Sequence, residues 1–163
     1  MIKPITRHDR KKILDLLTQT GVFNKKEIVV AMEIVDLVLA EKDGGDYQTF
    51  SYYDATGRFM GYICFGPIPM ADLRYDLYWI AVDRQVRGKG VAAELVGFME
   101  KQIARQGGGK VYVDTSSTPP YEAARGFYEK EGYSRVCVLD NFYRPGDGKI
   151  IFMKNIEASQ QYR

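Results

Sequence analysis

The chain has 163 residues, with 23 Lys and Arg against 21 Asp and Glu, a formal net charge of +2 and 45% hydrophobic residues. This length is enough for a core that needs neither disulfides nor metal, so we predict one domain over residues 1–163. The balanced charge argues against a nucleic-acid-binding coat or a membrane-surface protein, and no run is long and apolar enough to span a membrane. Any anion site must therefore be local.

The cysteines and the histidine give little support to a disulfide or a metal site. Cys64 and Cys137 lie far apart in apolar, strand-like runs, which favours buried thiols in a reducing compartment. The single histidine, His8, lies among basic residues and alone is a poor metal ligand or catalytic base. Met1 leads into a polar segment with no apolar signal core, so we predict a cytoplasmic protein without a metal.

The first half of the chain predicts two helices and a hairpin. Thr6, followed by Asp9, resembles a capping box before a first helix, and Asn24, followed by Glu27, marks a second helix that continues to the glycines at 44–45. Residues 47–53 and 59–65 alternate as strands around a turn at residues 54–57. We expect these two strands to pair antiparallel.

The second half predicts a β-α-β unit. A strand over residues 74–82, a helix that stops at the glycines 107–109 and a strand near Val111 follow in close succession, so the two strands should be parallel. A short helix over residues 121–131 and strands near 133–139 and 149–153 complete the α/β pattern, and the last ten residues are expected to be loosely ordered.

The turn between the strand at 74–82 and its helix is basic and rich in glycine. Gly88 and Gly90 would let the backbone approach a ligand, and Arg87 and Lys89 make the turn positive. The free N–H groups and the dipole at the start of the following helix favour an anion such as a phosphate. The alternative is an ordinary strand-to-helix connection whose cations are solvated.

Two motifs resemble the GNAT N-acetyltransferase superfamily. The family's acetyl-CoA signature appears as Ile80-Ala81-Val82-Asp83 followed by Arg87-Gly88-Lys89-Gly90-Val91-Ala92. A second family motif appears as Ala124-Arg125-Gly126-Phe127-Tyr128 followed by Gly132-Tyr133, and residues 141–148 look like a segment of the ribosomal-protein alanine acetyltransferases and their uncharacterised relatives. Both motifs occur in the family's order and spacing.

The resemblance implies a fold, a cofactor and its binding residues. The fold is α/β, a mixed twisted sheet with helices on both faces and with central parallel strands splayed to admit the pantetheine arm. The implied cosubstrate is acetyl-CoA. In the family, N–H groups at the end of the central strand polarise the thioester carbonyl, and those of the turn bind the pyrophosphate. Tyr121 stands where relatives often carry an Asn that contacts the cofactor. The implied cofactor-binding residues are Ile80, Ala81, Val82, Arg87, Gly88, Lys89, Gly90, Val91, Ala92, Ala93, Tyr121 and Tyr128.

The resemblance also implies catalytic roles. Tyr128 matches the family's general acid, since a phenol with a pKa of about 10 can donate its proton to the departing thiolate; the alternative is that it only packs a helix on the sheet. Asp114 approximately matches a carboxylate that serves as base in the alanine acetyltransferases, and Asp76 competes for that role. Either carboxylate can instead pair with a basic residue.

The expected function is transfer of an acetyl group from acetyl-CoA to a primary amine, on a small molecule or a peptide N-terminus, by an acyl-CoA-dependent N-acyltransferase. The alternative is a non-catalytic acyl-CoA-binding regulatory module with the same fold. No nucleic-acid or membrane partner is expected, and the resemblance allows a homodimer. The first two helices and the loops, where the resemblance is thinnest, leave the acceptor open.

Overall fold

A computed structural model describes residues 1–41 and 45–160. The helices are α1 (Asp9–Thr20), α2 (Lys25–Ala40), α3 (Val91–Arg105) and α4 (Glu122–Lys130). The strands are β1 (Ile2–Pro4), β2 (Gln48–Tyr53), β3 (Phe59–Pro67), β4 (Arg74–Val82), β5 (Gly109–Ser116), β6 (Ser134–Arg144) and β7 (Asp147–Ile156). Single 3₁₀ turns at Arg84–Val86 and Pro119–Tyr121 precede α3 and α4.

The seven strands of the described residues form one mixed sheet in the order β1-β2-β3-β4-β5-β7-β6. The predicted antiparallel pairing of β2 with β3 and the parallel pairing of β4 with β5 are confirmed. The registered pairs of β4 and β5 run from Arg74 opposite Lys110 to Asp76 opposite Tyr112, although β4 continues to Val82 and β5 to Ser116. The registered pairs of β4 and β5 therefore involve three residues of each strand.

The chain divides into two compact units, and the division falls within β4 and α3. The first unit comprises Met1–Gly66 and Tyr78–Lys101. Its apolar core joins α1 and α2 to β3 and β4, with Ile13, Val35 and Tyr62 almost completely buried. The second unit comprises Pro67–Leu77 and the described residues from Gln102 onwards. Burial of apolar surface stabilises each core by about 25 cal/mol per Å².

The helix starts differ in how closely they follow the predicted caps. Asn24 caps α2 in a complete capping box with Glu27, as predicted. The Thr6 cap is wrong: α1 follows His8, and the Asp9 carboxylate accepts hydrogen bonds from the Thr6 N–H at 2.8 Å and hydroxyl at 3.1 Å. Asp9 is fully buried and also accepts from the Tyr53 hydroxyl, so it anchors α1 to β2.

Four elements differ from the sequence-based expectation. α2 ends at Ala40, whereas the predicted end at Gly44 lies outside the described residues. β6 and β7 are both longer than predicted, and β7 includes Asn155 and the 9% exposed Ile156, so the expected loose order is wrong for those two residues. β1 was not predicted, since three residues are too few to show an alternating pattern. No described helix is long and apolar enough to cross a membrane.

Candidate functional site

The Gly-rich turn begins from a fixed point at the end of β4. The Asp83 N–H donates to the Met60 carbonyl at 2.9 Å, and the Asp83 carboxylate accepts from the Gln85 N–H and from the Arg58 guanidinium, each at 2.8 Å. Gly61 faces the same strand end, where an added Cβ would lie 2.7 Å from the Ala81 carbonyl oxygen. The close approach of β3 therefore holds the end of β4 in place.

Two glycines give the turn its backbone path. Gly88 has φ +77° and Gly90 has φ +83°, in the left-handed region that other residues adopt at a cost of about 1–2 kcal/mol. A Cβ added at either position would meet nothing within 4 Å. The glycines are therefore required by conformation rather than by crowding within the chain, and the space in front of them is open.

The start of α3 presents backbone donors that have no partner among residues 1–41 and 45–160. The first helical hydrogen bond joins the Glu94 N–H to the Gly90 carbonyl at 2.9 Å, so the N–H groups of residues 90–93 precede the ladder of the helix. Val86 and Val91, 4% and 5% exposed, anchor the turn on both sides of the glycines. The N–H groups of this turn therefore lie at the positive end of a helix dipole.

Side chains add to the positive potential of this turn. Arg87 and Lys89 are exposed, and within the described part of the chain neither has an acidic partner. Glu94, in the first turn of α3, accepts a hydrogen bond from the Tyr52 hydroxyl at 2.8 Å, which raises the pKa of Tyr52. The two cations are thus available to an anion from solution.

Tyr128 is a buried phenol in the second unit. It is 5% exposed and its ring lies 5.4 to 5.9 Å from those of Phe127, Tyr133 and Phe152. Burial raises the pKa of Tyr128 well above its ordinary value, so the phenol is protonated at neutral pH. Its hydroxyl makes no hydrogen bond to any described residue, and the hydroxyl oxygen is not fully enclosed by protein. The hydroxyl is therefore free to donate to a ligand.

The two predicted carboxylates lie on neighbouring strands of the second unit. Asp76 pairs with Tyr112 across the β4–β5 ladder, and Asp114 follows two residues later on β5. Burial, and then the negative charge of Asp114, raise the pKa of Asp76, whereas Lys149 acts to lower it. Asp114 is exposed and forms an ion pair with Lys149, whose Nζ lies 2.6 Å from Oδ2.

The segment between β5 and α4 is tied down by polar contacts. The Ser116 hydroxyl donates to Asp147 at 2.6 Å and accepts from the Thr118 N–H at 3.0 Å, while Arg125 donates to the carbonyls of Ser116 and Thr118 at 2.7 and 2.9 Å. Tyr121 stands half-buried at the start of α4, and its side chain does not cap the helix. Pro119 and Pro120 therefore lie in a β5–α4 connection that these hydrogen bonds hold in place.

The structure places the predicted site residues in both units. The cofactor-binding positions from Ile80 to Ala93 belong to the first unit, whereas Tyr121, Tyr128, Asp76 and Asp114 belong to the second. Sequence reasoning missed Lys149, because its contact with Asp114 depends on the register of β7 on β5. The described residues contain no group of three or more His, Cys, Asp or Glu side chains suited to a metal ion.

Comparison with known proteins places this fold and turn in one family. Residues 18–133 match the acetyltransferase (GNAT) family, and the chain belongs to that family. It is 32% identical to a structure from Desulfovibrio desulfuricans assigned to the same family, with a TM-score of 0.89 over 96% of this chain and 98% of that one. Among curated proteins, none matches the chain.

Two further solved structures share the fold at lower identity. One is an aminoglycoside 6'-N-acetyltransferase complexed with coenzyme A, 22% identical, with a TM-score of 0.72 over 98% of both chains. The other is the ribosomal-protein-S18-alanine N-acetyltransferase from Escherichia coli, 15% identical, with a TM-score of 0.76 over 100% of this chain and 97% of that one. At these identities the likeness concerns the fold alone.

Proposed function

We propose that this GNAT protein transfers an acetyl group from acetyl-CoA directly to a primary amine, without a covalent enzyme intermediate. The observation that carries the proposal is the start of α3, where N–H groups ahead of the helical ladder and two left-handed glycines share one turn with two cations that have no acidic partner among the described residues. Such a turn suits the diphosphate of coenzyme A, because backbone donors and the helix dipole both favour an anion. The solved relative with bound coenzyme A supports this choice of ligand.

The proposed reaction needs three groups. The acceptor ammonium first loses a proton to a base, and the freed nitrogen lone pair attacks the thioester carbon, forming a C–N bond and an oxyanion. N–H groups at the end of β4, at residues 80–82, stabilise that oxyanion. The carbonyl then re-forms and the C–S bond breaks, and the leaving thiolate takes a proton from an acid. The second proton of the nitrogen passes to the conjugate base of that acid, directly or through water, and restores it.

We assign the acid to Tyr128 and the base to one of the two carboxylates, Asp76 or Asp114. The Tyr128 hydroxyl is protonated and makes no hydrogen bond to a described residue. Its proton can therefore be donated to a thiolate. A carboxylate must be ionised to take the ammonium proton. Burial raises the pKa of Asp76, so this carboxylate becomes protonated at a higher pH than an ordinary Asp. If Asp76 is the base, turnover should therefore be lost earlier as the pH is lowered.

A thiol-release assay tests the proposal. The purified protein is given acetyl-CoA and a panel of amines that includes free amino acids, peptides, polyamines and aminoglycosides, with mass spectrometry to detect the gain of one acetyl group. We expect amine-dependent release of free coenzyme A with matching acetylation of one amine class. Binding of coenzyme A with no thiol release on any acceptor would instead favour an acyl-CoA-binding regulatory module.

A further inference from the structure

Lys149 makes the closest contact with either predicted carboxylate, although neither the family motifs nor the sequence pattern pointed to it. It lies on β7, opposite Ser116 of β5 and Leu139 of β6, and its side chain is only 19% exposed. Its ammonium lies 2.6 Å from the Asp114 carboxylate and 4.6 Å from the centroid of the Phe142 ring. A carboxylate and an aromatic face together hold this cation in one place.

The two carboxylates differ in what surrounds them. Asp114 has a short ion pair with Lys149, and its side chain is 46% exposed. Asp76 is half-buried and makes no hydrogen bond or ion pair with any described residue. The charges that act on Asp76 are those of Asp114 and Lys149.

Other charged or titratable groups on the neighbouring strands are engaged elsewhere or do not reach Asp76. On β5, Tyr112 is the ladder partner of Asp76 and Lys110 lies two residues before it. On β6 and β7, Arg144 is paired with Asp147 at 3.4 Å, and Asp140 lies within β6, four residues before its end. None of these five side chains is among the groups that shift the pKa of Asp76.

We propose that Lys149 is a positioning residue that engages Asp114 and thereby leaves Asp76 as the carboxylate that accepts the proton of the acceptor ammonium. The inference rests on the proposed acetyl transfer. In the step itself, one N–H bond of the ammonium breaks, its proton passes to a carboxylate oxygen of Asp76, and the electron pair remains on nitrogen for attack on the thioester.

The first test compares Asp76→Asn with Asp114→Asn. Loss of a general base lowers turnover by about 10²- to 10⁴-fold, so we expect that fall in kcat for Asp76→Asn. Asp114→Asn should keep kcat within about tenfold, because in this account it only supports the base. The opposite order of the two variants would overturn the proposal.

The second test removes the cation. With Lys149→Met, two carboxylates interact without a counter-charge, so the acidic limb of the kcat–pH profile should move up by about one pH unit. Lys149→Arg keeps the charge and should restore the profile. Lys110→Met removes the same charge from β5, four residues before Asp114, and should leave the limb in place. An unmoved limb in Lys149→Met, or an equal shift in Lys110→Met, contradicts the proposal.

A direct titration separates failure of this inference from failure of acetyl transfer. Carboxyl ¹³C shifts of labelled aspartates, assigned with the two Asn variants, report protonation of the pair in the free protein without turnover. We expect the apparent pKa values of the pair to rise in Lys149→Met. If that rise is seen but wild type acetylates no amine, the proposed function fails while the effect of Lys149 on the pair stands; active wild type with no rise overturns the role of Lys149 alone.

Discussion

Tyr128 has a packed ring and a hydroxyl without a hydrogen-bond partner among the described residues. Its ring is packed against Phe127, Tyr133 and Phe152, while its hydroxyl makes no hydrogen bond to a described residue. Packing alone would be served as well by Phe, and the Tyr128 hydroxyl is not fully enclosed by protein. This arrangement is compatible with the proposed role of the hydroxyl as a proton donor.

Tyr128→Phe separates packing from catalysis. The ring contacts are retained, so the thermal midpoint and the affinity for coenzyme A should change little, while kcat should fall by about 10²- to 10⁴-fold if the phenol is the general acid. Steady-state kinetics and calorimetry on the same preparation measure both quantities. Full activity at unchanged stability would remove the catalytic role.

Arg87 and Lys89 should act on affinity rather than on turnover. Each is an exposed cation beside the start of α3, where one interaction with a phosphate is worth about 0.3–1 kcal/mol. Arg87→Ala or Lys89→Ala should raise the Kd of coenzyme A by about two- to fivefold with little change in kcat, and higher salt should reduce the difference in Kd between variant and wild type. An unchanged Kd in both variants at low salt would show that the anion lies elsewhere.

Among the elements, α1 is attached to the sheet by a polar contact that its sequence only partly shows. The Asp9 carboxylate accepts from Thr6 and from the Tyr53 hydroxyl, and the ammonium groups of Lys3 and Lys12 lie 4.3 and 5.0 Å from the centroid of the Tyr53 ring. Burial and the hydrogen bond to Asp9 raise the pKa of Tyr53 to about 12. Asp9, which the sequence pattern placed in a local helix cap, therefore also holds α1 against β2.

This anchor predicts a loss of stability at alkaline pH. Because the pKa of Tyr53 is about 12 in the folded state and about 10 when unfolded, its contribution is complete below pH 10 and is lost as pH rises towards 12. Tyr53→Phe should be less stable at pH 8 by about 1–3 kcal/mol, since Asp9 loses a donor. It should also lose less stability than wild type between pH 9 and 11.

Urea unfolding of both proteins at pH 8, 9, 10 and 11 checks this prediction. The buried Cys64 thiol, whose pKa burial raises to about 12, contributes a fall of its own that is common to wild type and variant. The difference between the two proteins therefore isolates Tyr53. Parallel pH dependences would show that the Tyr53 hydroxyl does not titrate with unfolding.

The elements that the sequence predicted well are those with a strong local pattern. The Asn24 capping box, the β2–β3 hairpin and the β-α-β unit each have periodic apolar residues bounded by turn residues or caps. β6 shows no such pattern because ten of its eleven residues are exposed, so its length was underestimated. The contact between Lys149 and Asp114 depends on strand register, which local patterns do not encode.

At the scale of the whole molecule, the family could be recognised from the sequence because its motifs are short and contiguous; the cofactor-binding residues within those motifs stay a prediction. The turn at residues 80–93 and the Phe127-Tyr128 helix both keep the family spacing, and the fold agrees with them. Acceptor choice depends instead on side chains from separate segments. A fold shared by aminoglycoside and ribosomal-protein acetyltransferases does not specify one acceptor.

The account depends most on the start of α3 as the diphosphate site, and calorimetric titration with coenzyme A tests it directly. Gly90→Ala places a side chain at φ +83° and fills the open space before the helix, so the Kd should rise at least about tenfold. Gly97→Ala makes the same exchange within α3, where a Cβ would meet nothing within 4 Å, and should keep the wild-type Kd. Equal affinities in the two variants, or no saturable binding by folded wild type at millimolar coenzyme A, would contradict the account.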